Sequence, residues 1–236
     1  MVFQADSPTV RRESCHLRGD NLTVSTEHYF TADPASPTGP ADRRHVEFSL
    51  LERDFRLVAA GGVFSSARLD AGTSVLLHKA PLPAPTETGA LLDLGCGYGP
   101  IAVVLATSAP NATVYAVDVN RRALDLVRAN AAQMRIIPAT PDEVPNDVAF
   151  REIWSNPPIR IGKAELHALL ERWLPRLAPD GVAWLVVARN LGADSLQSWL
   201  VERGWPAERY SSQKGYRVLR VRRKPRDGTA GEAQNS

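Results

Sequence analysis

One short stretch of the chain can hold hydrogen-bond acceptors still for a ligand, and two others could form a ligand site beside it. The first is Ser155-Asn156-Pro157-Pro158-Ile159. Two consecutive prolines fix two φ angles and remove two amide donors. Pro157 pushes Asn156 out of the α region. The product is a stiff turn that displays a side-chain amide and carbonyls not tied into a helix. Asn-Pro also initiates ordinary turns, so this stretch acquires chemical meaning only from its surroundings.

The second stretch is Leu92-Asp93-Leu94-Gly95-Cys96-Gly97-Tyr98-Gly99-Pro100. Its glycines allow a tight turn and close approach of the backbone to a ligand. Pro100 suits the first turn of a helix, where its missing donor costs nothing. The third is Asp118, 118 − 95 = 23 residues beyond Gly95, where an acidic side chain can accept both hydroxyls of a ribose. A dinucleotide site has G-x-G-x-x-G; here Gly95, Gly97 and Gly99 alternate and Pro100 falls where the last glycine would. Asp93 lies two residues before the first glycine, near where a ligand's amino group would sit. An acid there suits a cationic amino-acid moiety better than a pyrophosphate. The pattern is similar to the S-adenosylmethionine loop of class I methyltransferases, with an NAD-binding module as the alternative for this stretch.

These residues need rigid elements to position them. From residue 90 apolar strands alternate with helical patterns: strands over 90–94, 112–117, 152–154 and 182–188, helices over 100–108, 121–134, 164–177 and 194–203. Asn120 caps the second helix. The strand at 182 is expected to begin after the turn Pro179-Asp180-Gly181. Such alternation predicts a mostly parallel sheet covered on both faces. A last strand pair, 206–211 and 216–222, joined by Gln213-Lys214-Gly215, predicts one antiparallel edge. Upstream, residues 45–51 and 54–60 flank Glu52-Arg53 and predict a β-hairpin. Residues 64–77 read as a short strand or helix leading into the Pro-rich stretch 81–85. Four segments follow: a loosely ordered leader 1–27, a substrate-facing extension 28–85, a catalytic domain 86–223 and a disordered tail 224–236.

The chain has 236 residues, 44% of them hydrophobic and 23% charged, enough for one well-buried core. No apolar run approaches the roughly 20 residues that cross a bilayer. Met1 to Asp6 lacks a basic region followed by an apolar one, so a cytoplasmic location is expected. Cys15 and Cys96 form no disulfide framework, and His16, His28, His45, His78 and His167 show no metal spacing, so neither metal nor membrane is expected. A net charge of +2 demands no nucleic acid, but six of the ten residues 217–226 are basic, either a nucleic-acid contact or a charge-protected edge strand.

Taken together, the motifs resemble the small-methyltransferase-domain family of class I S-adenosylmethionine-dependent methyltransferases, nearest to the small-subunit ribosomal RNA guanine-N2 branch. The resemblance runs from His28 to Arg223. It rests on His28-Tyr29-Phe30, Gly62-Val63-Phe64-Ser65, Leu69-Asp70-x-Gly72-Thr73, Leu76-Leu77, the glycine loop, Asp118-Val119-Asn120, Ser155-Asn156-Pro157-Pro158 and Lys214-Gly215-Tyr216-Arg217-Val218. It implies a Rossmann-like, mostly parallel seven-stranded α/β sheet with one antiparallel edge strand and a small N-terminal hairpin. It implies S-adenosylmethionine held by Asp93, Gly95, Cys96, Gly97, Gly99, Asp118, Val119 and Asp142. Catalysis falls to Asn156, Pro157 and Pro158, and substrate binding to Phe64, Ile159, Arg160 and Lys163. The implied partner is ribosomal RNA or the small subunit, bound by a monomer or weak dimer.

Two positions depart from the family pattern. Ile159 stands where an aromatic residue is usual. Asp142 is the acid available near the third strand for the adenine amino group. An aliphatic residue at 159 forgoes base stacking worth roughly 1–3 kcal/mol. Cys96 fills a place that needs a small side chain and is not read as a nucleophile. Trp154, Trp173 and Trp184 are assigned to the core. The alternatives are transfer to adenine N6 or to protein glutamine N5, or a cofactor- or RNA-binding module without catalysis.

Overall fold

From residue 90 onward four of the seven strands are followed by a helix that folds back over the sheet. The computed structural model describes residues 43–50, 52–61, 68–157 and 162–223. A hairpin comes first, β1 (Arg43–Leu50) and β2 (Arg53–Ala60), then helix α1 (Ala71–Lys79). The main sheet begins with β3 (Ala90–Leu94), α2 (Pro100–Ser108), β4 (Thr113–Val117), α3 (Arg121–Asn130) and β5 (Ile136–Ala139). It continues with β6 (Phe150–Ser155), α4 (Lys163–Trp173), β7 (Leu177–Ala188), α5 (Ala193–Glu202), β8 (Ala207–Gln213) and β9 (Tyr216–Arg222).

The seven strands of the main sheet lie in the order β5-β4-β3-β6-β7-β9-β8. Pairs from β5 to β7 are parallel, and β9 runs antiparallel to both β7 and β8. The antiparallel edge expected from the sequence is therefore a hairpin whose reversed strand, β9, lies one place in from the rim. Strand order reverses beside β3, the kind of switch point where open α/β sheets leave a crevice at the strands' carboxyl ends.

Alternate residues of each buried strand serve opposite faces. Leu91, Val114, Trp154, Trp184 and Val218 pack under α1, α2 and α3. Leu92, Ile153, Leu185 and Leu219 pack under α4 and α5, with Leu166, Leu170 and Trp173 from α4. Trp154, Trp173 and Trp184 are buried, as assigned. The hairpin makes a third layer: Val46, Leu57, Ala59 and Ala60 cover Tyr98, Val103, Ala123 and Leu126 on the outer side of α2 and α3.

Several boundaries differ from the expectation. Residues from Ala71 form a helix because Asp70 caps it, accepting from Thr73 N at 3.0 Å. Helix α3 ends at Asn130 and α4 at Trp173, where Pro175 turns the chain into a 3-10 segment, Leu174–Arg176. Strand β7 starts at Leu177, before the Pro179-Asp180-Gly181 turn. The turn is a bulge in the strand: Phe150 pairs with Leu177 and Glu152 already with Val182. A Cβ on Gly181 would stand 2.8 Å from Phe150 O, so the bulge needs glycine there.

Asn130, at the end of α3, fastens the hairpin to this core. Its Oδ1 accepts from Val58 N at 2.7 Å, and its Nδ2 donates to Val58 O and Tyr98 O, both at 2.9 Å. Nothing in the sequence pattern singles it out. Replacing it by alanine strands three part-buried backbone groups, so Asn130→Ala is expected to lower unfolding free energy by about 1–3 kcal/mol in denaturant titration. A loss below about 0.5 kcal/mol would show that water satisfies these groups equally well.

Candidate active site

The glycine loop leaves β3 and turns back beneath the end of β4. Gly95 N and Cys96 N both donate to Val117 O, at 2.8 and 3.0 Å. Gly95, Gly97 and Gly99 all have positive φ, 74°, 55° and 87°. That backbone strains any side chain, and a Cβ on Gly99 would also press on Val127 at 3.0 Å. A Cβ on Gly97 would meet nothing within 4 Å, so its backbone borders open space that a ligand can enter.

Asp118 directly follows β4 with one oxygen on each side of the turn: Oδ2 accepts from Gly97 N at 3.0 Å and Oδ1 from Asn120 N at 2.9 Å. Burial pushes its pKa up against these two bonds. Each oxygen keeps a lone pair, so the carboxylate can brace the loop and still accept ribose hydroxyls. Val119, next along, is half-buried.

Asp93 lies one layer lower than the sequence pattern implied. It is wholly buried, does not line the recess, and caps α2 by accepting from Ala102 N at 2.9 Å. Its Oδ1 is buried and has no hydrogen-bond partner. Burial pushes its pKa up to about 8; the Ala102 N–H opposes this and the Asp118 charge adds to it. A buried carboxyl with an unused oxygen beneath a glycine cradle fits a cationic ligand, because a positive charge above it would offset the cost of ionising it. Cys96 is buried, and burial with the two aspartates pushes its thiol pKa up, so it is not an activated nucleophile.

The Asn156 turn follows β6, whose end is tied to that of β3 by Ser155 Oγ donating to Leu94 O at 2.7 Å. The loop and the turn thereby share one small recess, lined on one side by Gly95, Cys96, Gly97 and Tyr98 and on the other by Asn156, Asp70 and Thr73. Asn156 Nδ2 donates to Asp70 Oδ1 at 2.6 Å and to Thr73 Oγ1 at 3.0 Å. Pro157 is buried. A second, roomier cavity of about 470 Å³ lies at the opposite end of the sheet, between Leu50, Phe55, Leu82 and Val104. Its walls are mostly apolar, and none of the described motif residues lines it.

The other expected residues divide. Pro158, Ile159, Arg160 and Phe64 lie outside the described residues, as do His28-Tyr29-Phe30. Lys163 is exposed at the first position of α4. Asp142 turns to Arg172 of α4 at 2.7 Å and does not line the recess. Of the four arginines of the basic run among the described residues, three are engaged: Arg217 pairs with Asp194, Arg220 with Glu208, and Arg223 donates to Leu177 O. Arg122 Nη2, on α3, donates to Gly61 O at 3.2 Å. What the sequence reading missed is the support of Asn156. Asp70 and Thr73 carried the resemblance without a role, and the visible signal, an Asp before a helix, points only to a cap.

The family model for the methyltransferase small domain matches residues 54–220. The chain belongs to that family. It is an S-adenosylmethionine-dependent methyltransferase, and the cradle and the buried Asp93 described above fit that cofactor. The uncharacterized protein YbxB of Bacillus subtilis is 31% identical over 204 residues, covering 84% of this chain and 99% of its own. Ribosomal RNA small subunit methyltransferase C of Aeromonas hydrophila is 38% identical over 135 residues, 55% of this methyltransferase and 37% of that protein. The T. thermophilus 16S rRNA N2 methyltransferase RsmC, solved with AdoMet and guanosine, shares the fold with a TM-score of 0.67 at 23% identity, over 80% of this chain and 52% of its own. This methyltransferase thus spans roughly the whole of the first relative and about half or less of the other two. Among the described residues no helix is long and apolar enough to cross a membrane, and no group of three His, Cys, Asp or Glu could hold a metal.

A cationic ligand above Asp93 would give its binding a pH signature. A carboxyl whose native pKa is raised is favoured protonated in the fold, so its contribution to stability falls as pH rises towards 8. A cationic ligand favours the ionised form, so binding should release a proton below pH 8. Calorimetry in buffers of different ionisation enthalpy at pH 7 should show a release by the wild type that Asp93→Asn lacks. Equal proton release by the two proteins would remove Asp93 from cofactor binding.

Proposed function

We propose that this methyltransferase places the methyl group on the exocyclic N2 amine of a guanine in small-subunit ribosomal RNA. The observation that carries the reading is the Asn156 amide. Both of its N–H groups are consumed inside the protein, which leaves Oδ1 as its group for a ligand. Oδ1 and the Pro157 carbonyl are two acceptors on one stiff turn, suited to the two N–H bonds of one planar amine. Accepting from both favours a pyramidal nitrogen and eases the positive charge that develops on it. The cofactor supplies a methyl carbon already made electrophilic by its sulfonium. The protein's part is to aim the nitrogen at it in line and at close range.

The names of the relatives support ribosomal RNA, and guanosine in the T. thermophilus complex supports guanine. We assign the cofactor cradle to Gly95, Cys96, Gly97 and Gly99, the ribose to Asp118 and Val119, and the balancing charge to Asp93. Asp142 is the weakest of these assignments, because its carboxylate is engaged by Arg172. A guanine in a duplex cannot reach so narrow a recess, so the base must be unpaired or flipped out. Pro158 and Ile159 are assigned to the base face and Phe64 to a neighbouring base. Exposed Lys163, Arg189 and Lys214 stand on the strand-end rim, where phosphates would pass. Arg160 is assigned to the same RNA contact.

Tritium transfer from labelled cofactor to naked 16S rRNA, small subunits, DNA and a release factor tests the acceptor class. Label is expected in RNA or subunits, on N2-methylguanosine after digestion. Label on adenine or on protein glutamine would overturn the assignment, and label in none would favour a binding module. Asn156→Ala should cut kcat at least about 100-fold, the scale of one preorganised hydrogen-bonding group. Cofactor Kd should stay within about twofold, since the loss falls on the transition state.

A further inference from the structure

We infer that Asp70 and Thr73 are positioning residues that lock the Asn156 amide in the one orientation able to accept the substrate amine. This rests on the role proposed for Asn156. Asp70 caps α1, and the partner that matters here lies 86 residues away in sequence. Its Oδ1 takes both Thr73 N and Asn156 Nδ2, at 3.0 and 2.6 Å. Thr73, 4% exposed, supplies the second acceptor at 3.0 Å. An ionised carboxylate can only accept, so it sorts the two ends of an amide. The flipped amide would set Oδ1 against Asp70 Oδ1 and turn its donors towards an amine that needs acceptors. The tether therefore fixes polarity as well as place.

Gly72 shows how closely the support is packed. A Cβ there would stand 3.0 Å from Tyr216 Cε1, 3.1 Å from Asp70 Oδ1 and 3.2 Å from Asn156 Nδ2. Tyr216 thus packs closely over Gly72 beside the tether, and β9 holds Tyr216 opposite Ala188. Two segments that carry the family resemblance, Leu69-Asp70-x-Gly72-Thr73 and Lys214-Gly215-Tyr216, meet at Gly72.

The test separates the tether from the helix cap. Asp70→Ser keeps a capping oxygen but is too short to reach Asn156, and Thr73→Val keeps shape but removes the acceptor. With 16S rRNA as acceptor, each should lower kcat about 10- to 100-fold, the cost of a misplaced group, with melting temperature and cofactor Kd close to wild type. Thr73→Ser should recover most of what Thr73→Val loses. Asp70→Ser added to Asn156→Ala should cost nothing further. Independently of activity, the Asn156 side-chain amide protons, assigned by their absence in Asn156→Ala, should lie downfield in NMR spectra, and one should move towards the free-amide position in Asp70→Ser. Unchanged amide shifts in Asp70→Ser, or full kcat in both variants while Asn156→Ala is dead, would overturn the tether and leave the Asn156 role standing. Full kcat in Asn156→Ala would overturn both. A cofactor Kd that rises as much as kcat falls would make Asp70 a cofactor ligand instead.

Discussion

The hydrogen bond from Ser155 Oγ to Leu94 O joins the ends of two parallel strands, and the site depends on it. Methyl transfer needs two groups at a fixed separation, one for the donor and one for the acceptor. The glycine loop leaves β3 one residue after the bonded carbonyl, and Asn156 follows the bonded serine directly. Both sides of the recess are thus referenced to one buried contact at the place where strand order reverses. Strand packing below fixes the rest: Trp154 and Trp184 fill one face, and Phe150 and Trp173 meet on the other.

Around that junction the protein keeps acidic groups buried. Asp93 and Asp118 both have raised pKa values because burial disfavours their charge. The arrangement is costly without a cation and favourable with one. It explains why helix α2 is capped by a carboxylate from its own strand instead of by solvent. It also explains why a larger apolar cavity elsewhere is a poorer candidate for chemistry: size alone supplies neither charge nor acceptors.

The sequence shows most of this fold because its strands are short and apolar, its helices are capped by Asn120 and opened by Pro100, and its glycines alternate. Those signals are local. What it conceals is contact across long separations. Asp70 carries the resemblance without a role and proves to hold Asn156; Asn130 falls inside the helix expected over 121–134 and proves to pin the hairpin. Arg217 and Arg220 read as free charge and are paired by acids on neighbouring elements. The break at 179–181 reads as the start of a strand, yet a bulge carries the ladder through it. In each case the missing information is which side chain faces which across the tertiary fold, and periodicity does not carry it.

The central claim concerns where the acceptor amine sits. A crystal structure with S-adenosylhomocysteine and guanosine tests it most directly. The account predicts the guanine N2 within hydrogen-bond distance, about 2.7–3.2 Å, of both Asn156 Oδ1 and Pro157 O, with Asn156 Nδ2 still on Asp70 and Thr73. A base bound with its amine turned away from Asn156, or an Asn156 amide released from Asp70, would contradict it.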